Sequence, residues 1–183
     1  GILGDHGRGT PEYFGIYGAN GIYQSETMSK AIGSYGGFIS SDKEMINRIR
    51  KNSVIYQAST SLPPPIVASA IASLRTIMEN PGLKEELAEK ARILRNGIES
   101  LGFITFKGIT PIIPIIEDSC ESARNLSAFL ERNGIIVPVV NYPGVKSNSL
   151  LRVTVSTLHE YQRIEILLDN LQKWKNKFRK TLR

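Results

Sequence analysis

The segment SETMSKAIGSYGG, residues 25–37, surrounds a single lysine, Lys30, with small and hydroxyl-bearing residues and ends in two glycines. A lysine on the surface does not need such neighbours. A lysine that forms a Schiff base does, because its amine must be neutral to attack, bulky neighbours would exclude a planar ring, and nearby hydroxyl groups can contact a phosphate. From this segment alone, a buried structural or ion-paired lysine remains the alternative.

Three further segments carry short motifs in a defined order along the chain. They are GILGDHGRGT at residues 1–10, STSLPP at residues 59–64, and LRV at residues 151–153, where the arginine is followed seven residues later by His159. Gly-rich turns, hydroxyl clusters and an arginine in an apolar strand are each common. Their order and spacing together are much more specific.

The four segments together resemble those of the α-oxoamine synthases, a family of pyridoxal-phosphate enzymes. Thr27-x-x-Lys30-Ala31 before Gly36-Gly37 is similar to the family's T-x-x-K-A…G-G cofactor-lysine motif. The other three resemble its G-x-x-G-x-x-G-R-G loop, its F-S-x-S-L-P-P segment and its R-[VI]-x-x-S-x-x-H stretch. The resemblance covers essentially the whole chain and implies an α/β, type I pyridoxal-phosphate (aspartate-aminotransferase-like) fold, seen as the end of the large domain followed by the small α/β sandwich domain.

The resemblance also implies an activity. Enzymes of this family condense an amino acid such as glycine, alanine or serine with an acyl-CoA to give an α-amino ketone, with pyridoxal 5'-phosphate as cofactor, and they are homodimers. Two alternatives stay open: an aminotransferase of the same fold, and a cofactor-free interaction module.

Five residues acquire roles from this resemblance. Lys30 would hold the cofactor and, once released, act as the acid–base group at the substrate Cα. Thr27 would bind the cofactor phosphate, and Ser59 with Thr60 would bind the phosphate in the partner subunit. Arg152 would pair with the substrate carboxylate, which suits a bidentate guanidinium, and a charge buried in an apolar strand would need such a partner.

Local structural roles compete with some of these assignments. Thr27 could cap a turn, and Ser59 and Thr60 could belong to an N-cap cluster before the proline run, although both roles can coexist. His6 and His159 stand at no metal-ligand spacing, so we expect them to make structural hydrogen bonds, and we expect no metal site.

The chain departs from the family pattern at three places. Gly1 would be the last residue of the family's D-x-A-H-S-x-G motif, which supplies an aspartate to the pyridine nitrogen, so we expect this chain alone to be inactive. The glycine often found before the cofactor lysine is Ser29, and Ala58 replaces a common aromatic residue. The last two changes bear on the substrate more than on the chemistry.

Hydrophobic periodicity predicts alternating helices and strands, with domains at residues 1–80 and 81–183 that meet near Pro81-Gly82. The predicted elements are a strand at 37–40, a helix capped by Ser41 and Glu44, a helix from the prolines at 63–65, a helix at 83–100, strands at 103–106 and 112–116, a helix from Ser119, strands at 135–140 and 150–155, and a last helix opened by Thr157 and Glu160.

Composition excludes several classes of function. The net charge of +6 resides in six basic residues of the last eleven, and the remaining basic residues equal the 17 acidic ones in number. We therefore interpret the tail as a solvated helix end and expect no nucleic-acid partner. No apolar run reaches the ~18 residues of a membrane helix, and Cys120 is the single cysteine. We expect a cytoplasmic protein that does not bind membranes.

Overall fold

The computed structural model describes residues 2–140 and 150–178, and the chain forms two compact units, Gly1–Lys84 and Glu85–Arg183. Both units combine helices with a small antiparallel sheet. The assignment of residues 1–80 to the end of a larger cofactor-binding domain, and of residues 81–183 to a small domain, remains a prediction.

The first unit carries a two-stranded antiparallel hairpin among short helices. β2 confirms the predicted strand at residues 37–40, whereas β1, with the sequence QSET, has no strand signal of its own and forms by pairing with β2. In chain order the elements are α1 (Thr10–Tyr13), β1 (Gln24–Thr27), β2 (Gly37–Ser40), α2 (Lys43–Asn52), α3 (Val54–Ala58) and α4 (Pro64–Glu79).

The helix starts of the first unit follow local chemistry. The predicted cap of α2, Ser41, is wrong by one residue: Asp42 is the N-cap, and its carboxylate accepts the Met45 N–H at 2.8 Å. An ionised carboxylate both satisfies this unpaired donor and complements the positive end of the helix dipole. α4 begins at Pro64, as the proline run predicts, because a proline in the first turn lacks only an N–H that has no helical partner.

The second unit is a three-stranded antiparallel sheet packed with long helices. The strand order is β3-β5-β4, and Pro114 is paired with Arg152 in the β3–β5 register. The elements are α5 (Gly82–Ser100), β3 (Ile112–Ile116), α6 (Cys120–Arg132), β4 (Val139–Val140), β5 (Leu150–Thr154) and α7 (Tyr161–Phe178). The helices at 83–100 and after Ser119, and the strands at 112–116 and 150–155, are thereby confirmed.

A continuous hydrophobic core holds the second unit together. Alternate residues of β3 and β5 face the helices and are buried, while Arg152 and Thr154 between them are exposed. The rings of Phe129 and Trp174 pack with their centroids 5.5 Å apart. Fully buried members of the core include Leu94, Ile98, Ile113, Ile115, Leu126, Leu130, Leu151 and Leu171.

Two predicted strands are largely replaced by loops. Residues 103–106 contribute only an isolated bridge between Ile104 and Ile116. Of residues 135–140, only Val139 and Val140 join the sheet, because Pro138 has no N–H to donate and the Val137 carbonyl accepts the Ser127 hydroxyl at 2.6 Å. Apolar content alone does not reveal such competing partners.

The predicted capping box of the last helix is also wrong. α7 begins at Tyr161, so Thr157 lies in the preceding turn, where its carbonyl accepts the Lys90 ammonium at 2.6 Å. None of the helices in the two described ranges has the length and hydropathy to cross a bilayer. Of the basic tail, Lys173 is exposed and Lys175 donates to the Leu101 carbonyl, while Arg179, Lys180 and Arg183, like Gly1 at the other end, lie outside the described residues.

Candidate functional site

Lys30 lies in the loop of the β1–β2 hairpin. Thr27 pairs with Gly37 at the end of the ladder, and the Met28 N–H donates to the Gly36 carbonyl at 2.9 Å to continue the closure. Within the loop, the Gly33 N–H donates to the Lys30 carbonyl at 2.9 Å. Gly33 and Gly36 have φ angles of 63° and 99°, a left-handed region that glycine adopts without strain. The glycines that follow the lysine are therefore what allows this tight loop.

Two hydroxyl groups and the lysine share this loop. The Thr27 Oγ1 and Ser29 Oγ atoms are 2.8 Å apart, and the Ser29 N–H donates to Thr27 Oγ1 at 3.2 Å. Lys30 is exposed, and its amine makes no hydrogen bond or ion pair with any residue in the described part of the chain. An uncommitted amine beside paired hydroxyls can serve as a nucleophile next to an anion-binding corner.

The segment after α3 lies beside this loop. The Ser34 hydroxyl donates to the Ile66 carbonyl at 3.0 Å, and a Cβ added at Gly36 would come within 3.1 Å of a Leu62 methyl carbon. Ser59 caps the C-terminal end of α3, and its hydroxyl donates to the Ile55 carbonyl at 2.5 Å. The hydroxyl of Ser59 thus has a local partner, while Thr60 is exposed.

Arg152 lies in the second unit, on the central strand β5. The expectation that its charge is buried is wrong: Arg152 is exposed, because the alternation along β5 directs Leu151 and Val153 to the core and Arg152 to the opposite face. Its backbone is held on both sides, by the pairing with Pro114 and by an N–H donated to the Pro138 carbonyl at 3.0 Å. The guanidinium makes no bond to any described residue, so it is available to a ligand.

The glycine-rich loop at residues 4–12 is ordered by one carboxylate. Glu12 accepts hydrogen bonds from the N–H groups of His6 and Arg8 and from His6 Nδ1, at 3.1, 2.9 and 2.7 Å. Desolvation raises the pKa of Glu12, but the hydrogen bonds from Arg8 and His6 outweigh it, so the pKa lies below its ordinary value. The guanidinium of Arg8 lies 5.1 Å from the centre of the Tyr17 ring.

The histidines make local hydrogen bonds. His159 Nδ1 accepts the Ser156 N–H at 3.0 Å, and His6 binds Glu12. His159 also lines a cleft of about 580 Å³ in the second unit, together with Ile136, Leu158 and Arg163. None of the predicted site residues lines this cleft. Within the described ranges, no three His, Cys, Asp or Glu side chains are grouped to hold a metal ion.

Ser29 is the residue of the site whose contact the sequence pattern does not reveal. As a departure from the family motif it attracts notice, but its hydrogen bond to Thr27 depends on the loop conformation. The signal that could have identified it is the i, i+2 spacing of two hydroxyl residues, which is typical of short side-chain-to-backbone turns.

Residues 12–171 match the family model described as aminotransferase class I and II. The chain belongs to this family. Its resemblance to the α-oxoamine synthases is also confirmed, because curated relatives carry names from that group. The putative 8-amino-7-oxononanoate synthase of Acetivibrio thermocellus is 38% identical, over 97% of this chain and 46% of that protein.

Solved structures give the same result. Serine palmitoyltransferase from Sphingomonas wittichii superposes with a TM-score of 0.86 at 27% identity, over 96% of this chain and 44% of that one. The 8-amino-7-oxononanoate synthase of Francisella tularensis, at 22% identity and a TM-score of 0.82, supports the fold alone. The predicted type I pyridoxal-phosphate fold is confirmed. The chain spans about half the length of the relatives it matches.

Proposed function

We propose that the protein is a pyridoxal-phosphate-dependent C-acyltransferase of the α-oxoamine synthase type, which condenses glycine, alanine or serine with an acyl-CoA. The observation that carries the proposal is the β1–β2 loop, where the uncommitted Lys30 amine lies beside the joined hydroxyls of Thr27 and Ser29. The names of the relatives favour this activity over an aminotransferase, and the free amine favours it over a cofactor-free module.

The side chains of this loop fit the cofactor. A phosphate needs hydroxyl or N–H donors, and Thr27 and Ser29 supply hydroxyls two residues apart. An aldehyde needs a primary amine with no competing carboxylate, and Lys30 meets that condition among the described residues. Thr27 would therefore hold the phosphate end, and Lys30 would hold the aldehyde carbon.

Lys30 has a second task in the proposed reaction. When bound, the cofactor supplies a ring that accepts the electron pair released at the substrate Cα. The Lys30 amine, displaced by the substrate amine, takes the proton from Cα and later returns one. Its position at the tip of a loop closed by Gly33 and Gly36 keeps the neighbourhood free of bulky side chains. A planar ring and a substrate can then both reach the amine.

Arg152 binds the carboxylate of the amino-acid substrate. The exposure of its guanidinium and the fixed backbone of β5 support this role, since an anchored strand limits how far the side chain can wander. Two parallel N–H···O bonds would fix the orientation of the carboxylate as well as its affinity. The lone positive charge on an otherwise apolar and neutral strand would thereby be used.

Ser59 and Thr60 act across a homodimer in this proposal, on the phosphate bound by the partner subunit. Their position next to Leu62, which packs against the loop at Gly36, supports a place near a cofactor site. The Ser59 hydroxyl would rotate away from the Ile55 carbonyl to donate to phosphate. We also retain the cytoplasmic location as part of the proposal.

Borohydride reduction of the full-length protein with pyridoxal 5'-phosphate tests the central assignment, because it fixes the cofactor covalently to the lysine that holds it. Peptide mapping should find the pyridoxyl group on Lys30. A Lys43→Arg variant, altered at an exposed lysine of the same unit, should label like the wild type. A label on Lys43 or Lys51 in place of Lys30 would overturn the proposal.

Substrate assays separate the acyltransferase from its nearest rival. An acyltransferase should release free CoA from an acyl-CoA only when an amino acid is present. An aminotransferase should instead move the amino group to a 2-oxo acid and leave acyl-CoA intact.

A further inference from the structure

The hydroxyl of Thr27 has an unusual set of neighbours. It receives the Ser29 N–H at 3.2 Å and lies 2.8 Å from the Ser29 hydroxyl. The other acceptor within reach is the Gly36 carbonyl, at 3.5 Å. That last distance is long for an O–H···O hydrogen bond, which is most often about 2.7–2.8 Å.

Donor and acceptor counting gives these contacts a direction. A hydroxyl has one proton and two lone pairs. If Ser29 donates both its N–H and its O–H, the two lone pairs of Thr27 are occupied, and the Thr27 proton is left with only the distant Gly36 carbonyl. A proton so weakly bound is ready for a better acceptor.

We propose that Ser29 is a positioning residue that orients the Thr27 hydroxyl proton toward the phosphate of the cofactor. The proposal rests on the proposed function of the loop. The two hydroxyls act in series: Ser29 donates to Thr27, and Thr27 donates to the anion. A hydrogen bond accepted by a hydroxyl polarises it, so Thr27 becomes a stronger donor than it would be alone.

The residue at position 29 decides whether this arrangement can exist. A glycine, which related motifs often have before the lysine, keeps the N–H but has no O–H, so one lone pair of Thr27 would be free and its proton could rotate. Ser29 therefore adds a contact that depends on this chain's own sequence. Its effect passes through Thr27 and needs no contact between Ser29 and the phosphate.

A double-mutant cycle on the full-length protein tests the serial arrangement. The variants are Ser29→Ala, Thr27→Val and the double mutant, and the readout is the dissociation constant of pyridoxal 5'-phosphate, followed by absorbance. Ser29→Ala should weaken binding about threefold to tenfold, the range expected from loss of one hydrogen bond. In the Thr27→Val background the same change should have no further effect. Independent, additive losses would overturn the proposal.

Further variants separate positioning from folding. Ser29→Gly should match Ser29→Ala, and Ser29→Thr, which keeps the hydroxyl, should retain affinity. Ser25→Ala removes an exposed hydroxyl from β1 of the same hairpin and should change nothing. A loss in Ser25→Ala equal to that in Ser29→Ala would point to general weakening of the hairpin and would overturn the proposal.

The phosphate dependence gives a second readout. Pyridoxal without its phosphate should bind wild type and Ser29→Ala equally, and an equal loss with both compounds would overturn the proposal. A wild-type protein that binds the cofactor on Lys30 but shows no coupling between Ser29 and Thr27 would disprove this inference alone. A wild-type protein that binds no cofactor would remove the proposed function, and this inference with it.

Discussion

The two units of this chain are held together by different forces. In residues 85–178, side chains from α5, α6, α7, β3 and β5 form one buried hydrophobic cluster. In residues 2–84, only Pro11 and Ala70 are buried, and large apolar side chains such as Ile55 and Met78 are about four-fifths exposed. Local polar contacts order this first unit, among them the Glu12 loop and the hydrogen-bonded Lys30 loop.

The difference separates stability from chemistry. The second unit buries enough apolar surface to order itself. The first unit carries four of the five proposed site residues and exposes a large apolar surface, which is typical of a surface that another protein segment covers. We expect the proposed homodimer to cover part of it.

The largest effect should come from the unit without a core. Lys30→Ala should lower turnover roughly 10³-fold, since a positioned acid–base group contributes about 10²–10⁴. The thermal unfolding temperature should stay the same, because the Lys30 amine contacts no described residue. Steady-state assays beside thermal melts check this, with Lys43→Ala as the control that keeps activity. Substantial turnover in Lys30→Ala would contradict the assigned role.

The core of the second unit should show the opposite behaviour. Leu126→Ala removes a fully buried side chain and should destabilise the fold by about 2–5 kcal/mol, which denaturant titration measures. Ile55→Ala, at a position 82% exposed, should change stability by less than ~0.5 kcal/mol. Equal losses from both changes would mean that the exposed apolar surface of the first unit is buried in solution.

Arg152 is the one site residue carried by the unit with a core. Arg152→Ala should weaken amino-acid binding roughly 30-fold or more, because loss of one partner of a charge-assisted pair costs about 2–5 kcal/mol in a desolvated site. Arg152→Lys should restore part of the affinity, since it keeps the charge without the planar fork. Titrating the cofactor absorbance with glycine, alanine and serine gives the affinities. Thr154→Ala, on the same exposed face, should bind normally, and unchanged affinity in Arg152→Ala would make Arg152 structural.

The smallest effect concerns the acid sensitivity of the first unit. Because the pKa of Glu12 is lowered in the folded chain, its hydrogen bonds stabilise the loop fully above the ordinary glutamate pKa, and this contribution is lost as the pH falls through the lowered value. Side-chain carbon NMR titration should find this low pKa, and His6→Ala should raise it part of the way. The core of the second unit should stay unchanged over the same range. An unshifted Glu12 would contradict the hydrogen bonds described here.

Features that depend on neighbours in sequence can be predicted from the sequence. Pro64, Gly33 and Gly36 indicate where a helix begins and where a loop turns, since each acts through its own backbone angles. The exposure of Arg152 cannot be predicted from an apolar strand, because only the pairing of β5 between β3 and β4 decides which face meets the helices. β1 is hidden for the same reason, since its ladder is supplied by β2.

The amino-acid sequence by itself determined the fold class, the helices α4 to α6, most of the sheet of the second unit, and Lys30 as the candidate reactive residue. These follow from hydrophobic period, capping chemistry and motif spacing, which act over short distances along the chain. Only the tertiary structure decided that Asp42 caps α2, that Pro138 and Ser127 shorten β4, and that Ser29 occupies the lone pairs of Thr27. Hydrogen-bond partners compete in three dimensions, and the outcome depends on distances that spacing along the chain does not define.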